Sequence, residues 1–149
     1  MKTRILAAAA ALLLLTAIVA PTPVEAAGTI TSTATNVGGN VTRYVLDWTC
    51  TAGGAVSGLD MSIIRGRIFQ AEAIPDSGGT QPSDLYDLEL QDPNNVDLLQ
   101  DAGDNLSQTT SKLMLFDPPL FYDAVGSLEL VIANGGASKG GQLILWIGP

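Results

Sequence analysis

The feature that most constrains the fold is an alternation of apolar and polar side chains in short segments of the chain. Residues 41–50 show it most clearly, with Tyr44, Leu46 and Trp48 on one parity and Arg43 on the other. A period of two is that of a β-strand with one buried face and one solvated face. We therefore expect residues 41–50 to form a strand that points Tyr44, Leu46, Trp48 and Cys50 into a core. The candidate core partners of this strand are Ile64, Leu88, Leu90, Leu128, Leu130, Val131, Leu143, Leu145 and Trp146.

Comparable segments recur along the chain between turns rich in Gly, Pro, Asn and Asp. Gly66 lies at a change of parity and predicts a β-bulge within one long strand. Residues 134–141 are glycine-rich and predict a hairpin connection between the last two strands. The pattern predicts an all-β antiparallel sandwich or jelly roll of about seven or eight strands, after an N-terminal signal helix. The other expected strands are residues 29–35, 61–74, 85–91, 96–99, 112–116, 127–133 and 142–147, with Pro118 and Pro119 ending the one at 112–116. Residues 101–107 are polar and are expected to hold a helical turn.

The first 26 residues form a separate unit. Lys2 and Arg4 precede an uncharged run from Ile5 to Ala20, and Val24-Glu25-Ala26 places compact residues before Ala27. This is the three-part pattern of a secretory signal peptide cleaved before Ala27. An uncleaved anchor is the weaker interpretation, because the run is shorter than the ~20 residues that span a bilayer. We expect residues 1–26 to be a signal peptide and residues 27–149 to be one exported domain, periplasmic, extracellular or on the cell surface.

Charge and composition exclude several classes of function. The chain has 7 basic and 15 acidic side chains and no histidine. Without Lys2, Arg4 and Glu25, residues 27–149 carry a net charge near −9, which phosphate backbones and anionic lipids repel. The lack of histidine removes the commonest catalytic base. We therefore expect no enzymatic activity, no cofactor, no nucleic-acid binding and no membrane association after signal cleavage.

Three groups of residues are candidates for binding. Asp92, Asn94 and Asp97 could ligate calcium, although the same residue types also dominate ordinary turns. Phe121 and Tyr122 are expected in a loop, where aromatic rings could stack on sugars or anchor the loop. Asp87 and Glu89 share a strand face and could be the paired carboxylates of a glycosidase. Their alternation with apolar residues instead identifies that face as the solvated one.

Cys50 is the sole cysteine of the chain. It could react or pair between chains. Because it shares the parity of Trp48, we expect it to be a small buried hydrophobe.

The second half of the chain has a recognisable series of short segments. They are Tyr86-Asp87-Leu88-Glu89-Leu90, Asp92, Val96-Asp97-Leu98-Leu99, Gly103 and Asn105, then 126–136 and 139–145. Together they resemble a group of small phage virion structural proteins, over about residues 82–147 and without a catalytic motif. The resemblance implies a non-enzymatic β-sandwich that packs into a larger assembly, the virion if the gene is phage-borne.

Virion proteins normally assemble without export, so the signal peptide allows two explanations. The chain is either an exported relative of that group or a phage product that is translocated. The function expected is that of an exported structural or assembly protein that associates with itself or with other structural proteins. The alternative is a secreted module that binds carbohydrate or calcium.

The last two strands suggest where association occurs. Residues 127–133 and 142–147 are apolar on both parities, whereas a strand with one solvated face alternates with polar residues. Both faces of the expected hairpin therefore need cover. One face can pack on the second sheet, and the other can be covered by loops such as residues 118–123 or by another copy of the protein. We favour the second copy and expect a homo-oligomer joined near this hairpin.

Overall fold

The computed structural model describes residues 28–61, 66–122 and 128–149, so the expected signal peptide lies outside the described residues. The described chain is an antiparallel β-sandwich, which confirms the expected fold class. It has eight strands, a single 3₁₀ turn at Gly78–Thr80 and no helix long and apolar enough to cross a membrane. The strands are β1 (Thr29–Gly38), β2 (Val41–Thr49), β3 (Val56–Met61), β4 (Gly66–Pro75), β5 (Asp87–Gln91), β6 (Lys112–Tyr122), β7 (Leu128–Ala133) and β8 (Gly140–Gly148).

Two sheets enclose the core. The larger has the order β1-β2-β8-β4-β6, and the smaller has the order β3-β7-β5. Leu46 and Trp48 point inward from β2, Cys50 is buried directly after it, and Tyr44 packs against the core at its margin. The Trp48 and Tyr86 rings meet across the sandwich with their centroids 5.6 Å apart. The parity predicted for residues 41–50 is therefore confirmed.

Most of the expected partners of β2 are buried with it. Val131 and Trp146 instead lie half-buried on the opposite parity of their strands, and Ile64 lies outside the described residues. Because β7 and β8 each present one parity to the core, only half of their apolar side chains reach it. The expected partners that reach the core are Leu88 and Leu90 on β5, Leu128 and Leu130 on β7, and Leu143 and Leu145 on β8.

The expected hairpin between the last two strands is wrong. β7 pairs with β3 and β5, whereas β8 lies between β2 and β4 in the other sheet. The connecting residues bond to other loops: Gly135 donates to the Gly54 carbonyl and accepts from the Ser83 amide. A glycine-rich segment marks a change of direction, but it does not determine whether the strands it joins will pair.

The expected single strand over residues 61–74 is also wrong. β3 and β4 belong to different sheets, and residues 62–65 between them lie outside the described residues. The bulge is at Phe69, where the register shifts between Ile68 and Gln70, and Gly66 instead begins β4. Ile68 and Ala71 both face the core across this bulge, so the change of parity was real but its position was misassigned.

Three expectations about the limits of strands and turns also differ from the structure. β6 does not end before Pro118, but continues to Tyr122 after a cis Asp117–Pro118 peptide; an edge strand tolerates proline because one of its sides needs no donor. Residues 96–99 form only a bridge between Asp97 and Gln91. Residues 101–107 hold successive turns and no helical turn.

Candidate functional site

The outer surface of the five-stranded sheet is the main candidate site. Its side chains are those that alternate with the core residues of β2, β4, β6 and β8. Val45 lies opposite Ile144, Ile144 opposite Glu72, and Glu72 opposite Leu113, so one row crosses four strands. We call this surface the apolar face, and its apolar members are Val41, Val45, Phe69, Ile74, Leu113, Leu115, Ile144 and Trp146.

The bulge in β4 adds an aromatic ring to this surface. A Cβ placed on Gly148 would lie 3.4 Å from the Phe69 ring and 3.7 Å from a Val41 methyl group. Phe69 and Val41 therefore flank the end of β8 on the side away from the core. This arrangement extends the apolar face to the end of the sheet.

Exposure on this face is graded from the centre to the edge. Ile144 is only 3 % exposed, yet it does not belong to the core cluster. Leu113 and Leu115 on β6 are 54 % and 69 % exposed. On β4, Glu72 and Gln70 lie between these leucines and Ile144 and Trp146, so the leucines form the outer part of a face that has polar side chains within it. Isolated exposed leucines are ordinary on protein surfaces, whereas a group of apolar side chains on one sheet face is a candidate interface.

Polar side chains between the apolar ones are held in place. The Arg43 guanidinium lies 5.8 Å from the centroid of the Trp146 ring, in a cation–π contact. Gln142 donates from Nε2 to Asp47 Oδ2 at 3.0 Å. Both contacts join side chains of the same face, so they fix the positions of Arg43 and Gln142 within the monomer.

A cleft of about 550 Å³ adjoins the apolar face at the β6 edge. Its walls are the turn at residues 96–100 and the strand segment at residues 115–120. Val96 is 56 % exposed there and Leu115 belongs to both surfaces. The cleft therefore extends the apolar surface around the edge of the sandwich.

The outer surface of the three-stranded sheet has the opposite character. Asp87, Glu89 and Gln91 point outward from β5, beside Glu129 on β7, and we call this surface the acidic face. The nearby Asp104 carboxyl has a raised pKa, because partial desolvation and the charges of neighbouring carboxylates disfavour its ionised form. Those neighbours are Asp101, Asp87, Asp97 and Glu89.

The calcium candidates lie in the turns beside this face, where their oxygens accept backbone hydrogen bonds. Asp97 accepts from the amides of Leu90 and Leu99 through Oδ1, at 3.1 and 2.9 Å, and from the Asp101 amide through Oδ2 at 2.9 Å. Asp92 Oδ1 accepts from the amides of Asn94 and Val96 at 2.8 and 2.9 Å.

These bonds have two consequences. The hydrogen bonds from Val96 and Asn94 lower the pKa of Asp92. Turn capping accounts for the positions of these side chains without a ligand. In residues 28–61, 66–122 and 128–149 no group of three or more His, Cys, Asp or Glu side chains is arranged to hold a metal ion.

Residues 86–105, which carry the first part of the phage resemblance, pack together around β5. Asp87 accepts from the Asn105 amide at 2.9 Å and from Asn134 Nδ2 at 2.8 Å. The Leu88 amide donates to the Gly103 carbonyl. A Cβ at Gly103 would collide with the Leu88 carbonyl, so only glycine lets this loop pack against the strand.

The remaining candidate residues are placed as follows. Cys50 is buried, as expected, and burial raises its pKa to about 11. The Trp48 indole N–H is buried and has no hydrogen-bond partner among the described residues. The backbone of Phe121 and Tyr122 lies in β6 and not in a loop, and their side chains lie outside the description.

Sequence reasoning found part of the apolar face. The two apolar parities of residues 142–147 indicated that Ile144 and Trp146 need cover. Leu113 and Leu115 were missed as surface residues, although their shared parity in residues 112–116 was visible. Comparisons with protein-family models, curated proteins and solved structures found no match.

Proposed function

We propose that this chain is an exported, non-enzymatic structural protein that assembles with copies of itself through the apolar face. The observation that carries the proposal is the exposure of Leu113 and Leu115 on a face whose centre, Ile144, is apolar and lies outside the core. Burying these side chains against a second copy would remove apolar surface from water, at about 25 cal/mol for each Å².

The charge distribution favours this face over the other. The chain carries a net charge of −8, so two copies repel each other where acids cluster. The acidic face carries Asp87, Glu89 and Glu129. On the apolar face, Asp47 and Glu72 are partly offset by Arg43. Copies therefore approach with the least repulsion on the apolar face.

The roles of the carboxylates support a non-enzymatic function. General acid–base catalysis needs carboxyl groups that face a substrate site with their pKa values pushed apart. Here Asp87, Asp92 and Asp97 accept hydrogen bonds that hold loops against β5 and its neighbouring turns. The resemblance to phage virion proteins and the signal peptide add the expectation of an exported or virion-associated assembly.

The test is sedimentation velocity on residues 27–149 at micromolar concentration. The wild type should sediment as an oligomer, and Leu115→Glu should lose affinity at least tenfold, because it places a charge in the apolar contact. Leu85→Glu is the matched control, since Leu85 is 57 % exposed and belongs to neither face. Its oligomer should persist.

A wild type that is monomeric, with or without added calcium, would contradict the proposal. The binding-module alternative would then be favoured, with carbohydrate or calcium as the ligand to be titrated. An equal loss of association in Leu85→Glu would show that charge, and not this face, controls assembly.

A further inference from the structure

The first strand, β1, provides a second surface for assembly. We infer that it pairs edge to edge with β1 of a second copy, so that two five-stranded sheets become one continuous sheet. This inference rests on the proposed function, because it requires that the chain self-assembles. It adds a second interface, distinct from the apolar face.

β1 is an edge strand that lacks the usual protection. It spans ten residues, Thr29–Gly38, and β2 is its only pairing partner among the described strands. An edge strand leaves every second residue's amide and carbonyl without a ladder partner. From Thr29 to Asn36 the pairing with β2 is regular, and the segment has no charge and no proline.

The other sheet edges are obstructed. The β6 edge is interrupted by Pro118, by Pro119 and by the shift in pairing register opposite Phe69. At β5, the neighbouring turns cover the edge, where Leu88 bonds to Gly103 and Leu98 bonds to Leu90. β3 has six residues and an irregular register after Gly58. Proteins use such devices to prevent edge-to-edge association, and β1 shows none of them from Thr29 to Asn36.

The charge of the chain also favours β1. With a net charge of −8, a second copy meets least repulsion along a strand that has no acid. Thr29 lies two residues beyond the expected cleavage point, so signal removal would leave only a short segment ahead of the edge. A second copy of this chain is therefore the partner that fits.

The strand is suited to antiparallel pairing about a two-fold axis. Centring the axis on Thr33 and setting it perpendicular to the sheet places Thr33 opposite Thr33 of the second copy. The same register places Thr31 opposite Thr35 and uses the regular span from Ile30 to Asn36. Threonine pairs across antiparallel strands are favourable.

Together the two interfaces define the assembly. The edge axis is perpendicular to the sheet, and a two-fold axis relating two apolar faces runs parallel to the sheet, midway between the two faces. Two perpendicular two-fold axes that intersect generate a closed tetramer. The expected particle is therefore a tetramer in which two continuous sheets pack through their apolar faces, and loss of either interface leaves a dimer.

Disulfide cross-linking tests the register. Thr33→Cys should form a cross-linked dimer on mild oxidation, because opposed Cβ atoms in an antiparallel pair lie about 5 Å apart. Val37→Cys should not, because its two copies would lie about 27 Å apart at ~3.4 Å for each residue. Thr110→Cys, at an exposed position away from β1, measures random collision. The native Cys50 is buried and does not compete.

A second pair of variants separates this inference from the proposed function. Leu115→Glu should leave a dimer that still cross-links through Thr33→Cys. Ser32→Lys, which projects from exposed β1 on the side away from the apolar face, should leave a dimer held by that face. If the wild type assembles but Thr33→Cys cross-links no faster than Thr110→Cys, the edge inference alone is overturned. If the wild type is a monomer, the proposed function fails as well.

Discussion

The two outer faces of the sandwich are built from the same alternating pattern, but they have opposite chemistry. On the acidic face, β5 alternates core leucines with Asp87 and Glu89. On the apolar face, β8 places Ile144 and Trp146 between core residues. Burial in the monomer accounts for Ile144, which is 3 % exposed, but not for Leu113 and Leu115, which are 54 % and 69 % exposed. The proposed assembly would cover these leucines and leave the acidic face solvated.

The acidic face also shows a second use of carboxylates. Asp87 and Asp97 accept backbone amides and hold the neighbouring turns in place, whereas Asp104 has a raised pKa from desolvation and crowding. The carboxylates on this side therefore hold turns in place and add negative charge to the surface. The apolar face has fewer carboxylates, Asp47 and Glu72.

The largest expected effect tests whether the apolar face is distinct from the core. Leu46→Ala should cost about 2–5 kcal/mol of unfolding free energy, because the side chain is fully buried in the core. Val45→Ala, on the next residue of β2 but on the apolar face, should cost under about 1 kcal/mol in the monomer. Urea denaturation of dilute protein measures both. Equal losses would break the distinction between core and face.

A smaller effect tests the structural role of the acids. Asp97→Ala should cost about 2 kcal/mol, because it leaves three backbone amides without their acceptor. Glu129→Ala removes an acid from the same side of the sandwich and should cost under about 0.5 kcal/mol. Thermal denaturation at fixed pH and salt compares them. If Glu129→Ala cost as much as Asp97→Ala, the contrast between structural and solvated acids would be wrong.

The sequence predicted single-strand properties well and the connections between strands poorly. Parity in residues 41–50 and 85–91 identified core residues because a two-residue period is a local signal. The separation of β7 from β8 was missed because pairing depends on long-range contacts that a turn sequence does not encode. Gly66 was assigned the bulge that lies at Phe69, since glycine marks a change of backbone direction without fixing where the register shifts.

The candidate site shows the same limit. Ile144 and Trp146 were indicated by an excess of apolar residues in one segment. The apolar face as a whole depends on β8 lying between β2 and β4, with β6 beyond β4. That order brings Leu113 and Leu115 into the rows of Ile144 and Trp146, and no local pattern contains it.

The most direct test of the account uses the two tryptophans, one in each environment. Trp48 is 1 % exposed in the core, whereas Trp146 lies half-buried on the apolar face. In acrylamide quenching, dilute protein should show one accessible and one protected tryptophan. As the concentration rises through the assembly range, the accessible fraction should disappear in the wild type and persist in Leu115→Glu. An accessible fraction that does not change while the wild type assembles would contradict burial of the apolar face between copies.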